Sequence, residues 1–130
     1  MHKVLEYSKD TGGTFRWDVM IDDAKFELYI YKWRVPQPVP HRVLVEIFMP
    51  GDNHPGLSQF KQGETIRTPG WRQSPIVVRV QLTEEHTKTY RYDPIGDYKL
   101  RETGCPYIPK TLLPSEPPSE LTISVEWLTD

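Results

Sequence analysis

Residues that could bind a metal are spread thinly along this chain. The four histidines form no His-x-His or Glu-x-x-His motif, and they stand at His2, His41, His54 and His86. A structural zinc site usually takes at least two ligands from closely spaced positions. The segment Asp52-Asn53-His54 carries liganding atoms, but these residue types are typical of turns and their spacing is not that of a calcium loop. The sequence therefore predicts no metal and no cofactor.

Side chains suited to covalent or acid–base catalysis lack the sequence context that such chemistry uses. Cys105 lies between Gly104 and Pro106, where no nearby residue would favour a thiolate. No serine stands in a Gly-x-Ser-x-Gly motif. The acid pairs Asp22-Asp23 and Glu84-Glu85 fall at predicted turns, where solvated charge is common. The sequence predicts no catalytic residue and favours a protein that is not an enzyme.

Aromatic and basic residues, by contrast, are interleaved in two segments. Flat rings beside cations can stack on the bases of single-stranded nucleic acid, and the same rings can stack on sugar faces. Tyrosine and tryptophan are also favoured in strands, where the stems of Lys and Arg cover them, so packing alone is the alternative interpretation. We predict that the ligand-binding residues are Tyr29, Tyr31, Trp33, Arg34, Trp71 and Arg72.

Composition limits the partners and the location of the protein. The 130 residues include 16 basic and 18 acidic side chains, a formal net charge of −2, so nucleic acid would need a local patch rather than an overall field. The single cysteine favours a reducing, cytoplasmic location. No apolar run approaches the ~20 residues of a membrane span, so we expect a soluble protein with no membrane partner.

The elements that must position these side chains are predicted to be strands. Residues alternate between apolar and polar in Lys25 to Trp33 and in Arg42 to Met49, which is the period of a half-buried strand. The joining segment contains Pro36, Pro38 and Pro40, which rules out a helix or a central strand there. In the first of these strands, the alternation places Tyr29, Tyr31 and Trp33 on one face.

Further alternating segments lead to an all-β fold of one domain, residues 1–130. We predict a mostly antiparallel sandwich or partly open barrel of seven or eight strands with long proline-rich loops. Two segments are predicted to lie outside the strands: a long loop over Gly51 to Ser74, with a short helix at Leu57 to Gln62, and a covering segment over Gly104 to Pro118. Tyr98 to Glu102 is predicted as a short strand, and the last strand is expected to turn Thr122, Ser124 and Glu126 outward.

Three functions fit this pattern. The first is a binding or interaction module that uses the aromatic and basic surface. The second is a small barrel-type hydrolase or isomerase with its site in the 51–74 loop, where His54, Asp52 or Glu64 would act as acid or base. The third is a homo-oligomeric structural or interaction subunit, in which the exposed apolar face of a strand would form the interface. The sequence favours the first, with nucleic acid or a glycan as ligand only through a local patch.

Overall fold

The computed structural model describes residues 1–57 and 70–129, and these residues build an antiparallel β-barrel of eight strands. The neighbours around the barrel follow the order β1-β2-β3-β7-β6-β5-β8-β4, and β4 pairs with β1 to close it. The all-β, mostly antiparallel prediction is confirmed, and the sheet is a closed barrel. The strands are β1 (His2–Asp10), β2 (Thr14–Ile21), β3 (Ala24–Tyr31), β4 (Arg42–Phe48), β5 (Ile76–Glu85), β6 (Thr89–Pro94), β7 (Tyr107–Pro109) and β8 (Glu120–Leu128).

Alternation explains why the barrel interior is filled with side chains. Successive residues of a strand point to opposite faces, and in β3 this turns Phe26, Leu28 and Ile30 inward, where all three are buried. Trp17 of β2 is fully buried too, and its indole Nε1 donates to the carbonyl oxygen of Pro40 at 2.9 Å. The core is therefore packed.

The proline segment crosses one end of the barrel. It joins β3 to β4, which are not neighbours, because β2 and β1 lie between them. Proline suits such a crossing because it removes backbone donors that would otherwise need partners. At its end the carbonyl of His41 accepts a hydrogen bond from the backbone N–H of Tyr7 at 2.7 Å, which ties the crossing to β1.

Four local predictions are wrong, the last of them in part. The strand predicted through Trp33 ends at Tyr31, and residues 32–34 form a 3-10 turn; Tyr98–Leu100 is also a 3-10 turn. The covering segment contains β7, which pairs with both β3 and β6 and so completes the barrel wall. Of the β8 residues predicted to face outward, Thr122 and Ser124 are buried, whereas Glu126 is exposed. Most of the helix predicted at Leu57 to Gln62 lies outside the described residues.

The connecting segments gather at two ends of the barrel. We call one the Trp33 end, made of residues 9–13, 31–42, 70–75 and 95–106. The other is the His54 end, made of residues 21–24, 48–57, 85–89 and 110–120. In the described ranges the helical elements are three-residue turns, and none has the length or apolarity to cross a membrane.

Candidate aromatic and basic binding site

Two short turns at the Trp33 end hold a pair of tryptophans. The rings of Trp33 and Trp71 are stacked, with centroids 6.4 Å apart and planes inclined at 26°. The guanidinium carbon of Arg72 lies 4.6 Å from the centroid of the Trp71 ring, within the range of a cation–π contact. The Nε of Arg72 also donates to the carbonyl oxygen of Trp33 at 3.1 Å, so the two turns are bonded together. Gly70 begins the second turn with φ of 75°, a conformation that favours glycine.

A cleft of about 350 Å³ adjoins this stack. Trp33 belongs to both features, so the stack and the cleft form one continuous surface. Among the lining residues, the guanidinium of Arg101 lies 4.9 Å from the centroid of the Tyr98 ring and donates to the carbonyl oxygen of Pro94 at 3.1 Å. The cleft is lined by Tyr31, Trp33, Tyr98, Lys99 and Arg101.

Tyr31 lies in this cleft as a neutral phenol over the whole physiological range. Burial, together with a hydrogen bond to Tyr98, raises the pKa of Tyr31 to about 12. A neutral phenol can both donate and accept a hydrogen bond. Tyr31 therefore contributes an aromatic ring and an uncharged hydroxyl, bonded to Tyr98, to the wall of the cleft.

A buried ion pair connects the chain segments that form the stack and the cleft. The Nε of Arg34 lies 2.7 Å from Oε2 of Glu102, and the Arg34 side chain is fully buried. The same guanidinium donates to the carbonyl oxygens of Arg72 at 2.9 Å and of Ser74 at 2.7 Å. Burial lowers the pKa of Arg34, against the opposing effect of Glu102. Arg34 thus joins the 32–34 turn, the 70–75 segment and the 95–106 segment.

The six sequence-predicted site residues separate into three groups. Tyr31, Trp33, Trp71 and Arg72 lie together at the Trp33 end. The expected surface position of Arg34 is wrong, because its guanidinium serves as an internal link.

Tyr29 lies apart, on the outer face of the barrel wall. Its hydroxyl donates to Oε2 of Glu27 at 2.8 Å, and its ring meets that of Tyr107 edge-on, with centroids 6.2 Å apart. Trp33 does not share its strand face, since the strand ends before it.

Sequence reasoning missed Tyr98, Lys99 and Arg101. They lie in the segment Tyr98-Lys99-Leu100-Arg101, in which rings and cations are interleaved as they are in residues 29–34. This signal was present in the sequence. Its strand interpretation failed because Asp97 caps a 3-10 turn instead, its side chain accepting from the backbone N–H of Lys99 at 2.9 Å.

The His54 end holds a second cleft, of about 380 Å³, which includes His54, Arg79 and Glu120. Arg79 and Glu120 are bonded to each other at 2.7 Å and are nearly half exposed. The ring Nδ1 of His54 lies 2.7 Å from the carbonyl oxygen of Pro55. Asp52 accepts from the backbone N–H of Met49 at 2.8 Å, as a turn residue would. Glu64, the third predicted acid or base, lies outside the described residues.

Cys105 lies on the barrel wall beside a charged pair. The Nη2 of Arg91 is 3.5 Å from the Cys105 Sγ, and the Nε of Arg91 is 3.0 Å from Oδ1 of Asp93. Burial, and then the hydrogen bond with Asp93, raises the pKa of the Cys105 thiol. A nucleophilic cysteine needs the opposite shift. In residues 1–57 and 70–129, no three His, Cys, Asp or Glu side chains converge as metal ligands would.

No family model, no curated protein and no solved structure matches this chain.

Proposed function

We propose that this protein is a non-catalytic binding module whose ligand lies across the aromatic and basic surface at the Trp33 end. The observation that carries the proposal is the position of Trp33, which stacks on Trp71 and also lines the cleft with Tyr31 and Tyr98. Rings arranged in this way offer flat apolar area with a polar margin, which is the composition of ligand-contact surfaces.

Hydrogen bonds that lead to the buried Arg34 hold the two tryptophan turns in place, which favours binding over packing alone. The Trp33 carbonyl is bonded to Arg72, and the Arg72 carbonyl is bonded to buried Arg34. Side chains that are already ordered in the free protein lose little conformational freedom when a ligand arrives. The surface is therefore suited to recognition without a preceding rearrangement.

The lining residues also argue for binding without chemistry on the ligand. Among the described residues, the cleft is lined by three aromatic residues, one lysine and one arginine, and by no carboxylate, imidazole or thiol. Histidine and carboxylates are the most usual general acids and bases near neutral pH, and burial and a hydrogen bond to Tyr98 raise the pKa of Tyr31 to about 12, further from that range. The same proposal places the protein in the cytoplasm, and the support is its single cysteine.

The experiment is a ligand screen by thermal shift and tryptophan fluorescence, using single-stranded oligonucleotides, duplexes, neutral oligosaccharides and peptides. A ligand at ~100 times its dissociation constant stabilises the native protein by about 2.7 kcal/mol, which is several degrees for a domain of this size. The shift should be lost in Trp33→Ala and retained in Phe48→Ala, whose ring lies in the cleft at the His54 end.

The opposite pattern would contradict the proposal. Binding that is lost in Phe48→Ala and retained in Trp33→Ala would place the ligand at the His54 end, where the hydrolase or isomerase alternative has its candidate residues. A mass in solution above that of one chain, with no change of fluorescence from any ligand, would favour the homo-oligomer instead.

A further inference from the structure

Charge is distributed unevenly between the two ends of the barrel, although the chain as a whole is nearly neutral. The segments of the Trp33 end contain seven lysines and arginines against three acidic residues. The described segments of the His54 end contain two lysines against six acidic residues. One end is therefore basic and the other acidic, and the aromatic site lies at the basic one. Such a local field attracts anions even when the net charge is slightly negative.

The acidic residues at the Trp33 end are already engaged. Asp10 is paired with Lys32 at 2.8 Å, and Glu102 is paired with buried Arg34. Asp97 caps the 98–100 turn. Within the described ranges, no carboxylate is paired with the three cations that border the aromatic site, which are Arg72, Lys99 and Arg101.

The polar groups of the site discriminate between ligand classes. Arginine and lysine only donate hydrogen bonds, whereas sugar hydroxyls also need acceptors for their own protons. Apart from the tyrosine hydroxyls, the side chains that line the cleft in the described part of the chain offer no oxygen acceptor. Donors without acceptors suit a phosphate, and the neighbouring rings suit a flat heterocycle.

From these observations we propose that the ligand is single-stranded nucleic acid, held by base stacking on the rings and by phosphate contacts to Arg72, Lys99 and Arg101. This inference rests on the proposed function. The rings of Trp33, Tyr31 and Tyr98 line one cleft beside the cations Lys99 and Arg101, an arrangement that suits successive nucleotides of a strand. A duplex would hide the base faces that such stacking needs.

The test is fluorescence anisotropy with a labelled oligodeoxythymidylate of about 12 nucleotides, a length within the range of single-strand sites. Affinity should fall with added salt, with a logarithmic slope of about −0.7 for each phosphate neutralised. Trp33→Ala should weaken binding by about 5- to 150-fold, the loss that removal of one stacked base partner typically causes. It should also remove the quenching of tryptophan fluorescence.

A charge-matched pair of variants separates local contact from overall charge. Lys99→Gln removes a cation that lines the cleft, whereas Lys88→Gln removes an exposed cation at the His54 end. Lys99→Gln should reduce the magnitude of the salt slope by about 0.7, and Lys88→Gln should leave it unchanged. Equal effects of the two variants would overturn the phosphate contact.

Competitors distinguish the remaining ligands. Polyphosphate or polyglutamate that displaces the oligonucleotide at equal charge concentration would overturn base stacking, since neither has a ring. Binding of a neutral oligosaccharide, lost in Trp33→Ala, with no binding of the oligonucleotide would overturn the nucleic-acid inference while supporting the binding site itself. Absence of any response from oligonucleotides, oligosaccharides and peptides would contradict both.

Discussion

Arg34 and Glu102 form a buried ion pair, with Nε and Oε2 at 2.7 Å, between residues that are 68 positions apart in sequence. The Arg34 guanidinium also donates to the carbonyl oxygens of Arg72, Ser74 and Pro75. The pair therefore connects the three segments that carry the aromatic site. The ion pair thereby stabilises the positions of the aromatic and basic side chains at the surface.

Loss of Arg34 should be more harmful than neutralisation of Glu102. Arg34→Met leaves a buried carboxylate and several carbonyls without a donor, and removal of one partner of a buried pair typically costs about 3–5 kcal/mol. Glu102→Gln keeps an oxygen that can accept from Arg34 Nε, so its cost should be smaller. Urea unfolding of both variants measures the difference, and equal losses would contradict the role of the carbonyl bonds.

The Trp33–Trp71 stack should contribute a measurable coupling energy. Stacked or edge-on aromatic pairs are worth about 0.5–1.5 kcal/mol beyond the area that they bury. A double-mutant cycle with Trp33→Ala, Trp71→Ala and the double variant should return a value in this range from urea unfolding. The Tyr29–Tyr107 pair, outside the site, provides a second cycle for comparison. Additive losses for Trp33 and Trp71 would show that the contact has no energetic effect.

The single thiol should react slowly in the native protein. Burial and Asp93 raise the pKa of Cys105, whereas Arg91 acts in the opposite direction. Asp93→Asn should therefore lower the thiol pKa and speed the reaction with Ellman's reagent at mildly alkaline pH, because the thiolate is the reactive form. Arg91→Gln should slow it. In urea the parent protein and both variants should react at the same rate. A difference that persists in urea would contradict the assignment of the rate changes to Asp93 and Arg91.

Stability should fall at alkaline pH through Tyr92. Its hydroxyl donates to the carbonyl oxygen of Pro118 at 2.7 Å, and burial raises its pKa to about 12. The unfolded chain releases the same proton near pH 10, so the contribution is complete below about pH 10 and is lost as pH rises toward the folded value. Tyr31 acts in the same direction, since its pKa is also about 12.

Tyr92→Phe tests this alkaline loss. At about pH 8 the variant should be less stable by about 1 kcal/mol, the usual value of one hydrogen bond. Between about pH 9 and 11 its free energy of unfolding should decline less steeply than that of the parent, because one titrating group has been removed. Urea unfolding across this interval gives both slopes, and parallel curves would contradict the assignment to Tyr92.

The strands could be predicted because burial in a barrel repeats every second residue. Phe26, Leu28 and Ile30 follow that period, and their inward face needs no knowledge of distant contacts. The strand order could not be predicted, because it depends on which edges pair. The three-residue β7 shows this, since its Tyr107 and Ile108 complete a wall between β3 and β6 and carry almost no periodic signal.

Only part of the site could be predicted from the sequence, for a similar reason. Trp33 and Arg34 are adjacent, yet one lines the surface cleft and the other is fully buried. Their separation results from the 3-10 turn over residues 32–34 and from Glu102, which is remote in sequence. Both residues were candidates because of their types. Only their tertiary contacts show that Trp33 lies at the cleft and that Arg34 is an internal link.

The turn between β2 and β3 offers a stabilising change away from the site. Asp22 and Asp23 both have positive φ, 47° and 67°, in a two-residue hairpin loop at the His54 end. Asn-Gly is strongly preferred where both central residues have positive φ. The double change Asp22→Asn with Asp23→Gly should raise the free energy of unfolding by roughly 0.5–1 kcal/mol. Urea unfolding measures this gain, and affinity at the Trp33 end should stay unchanged. A matching loss of affinity would mean that the two ends of the barrel are coupled and would contradict their separate roles.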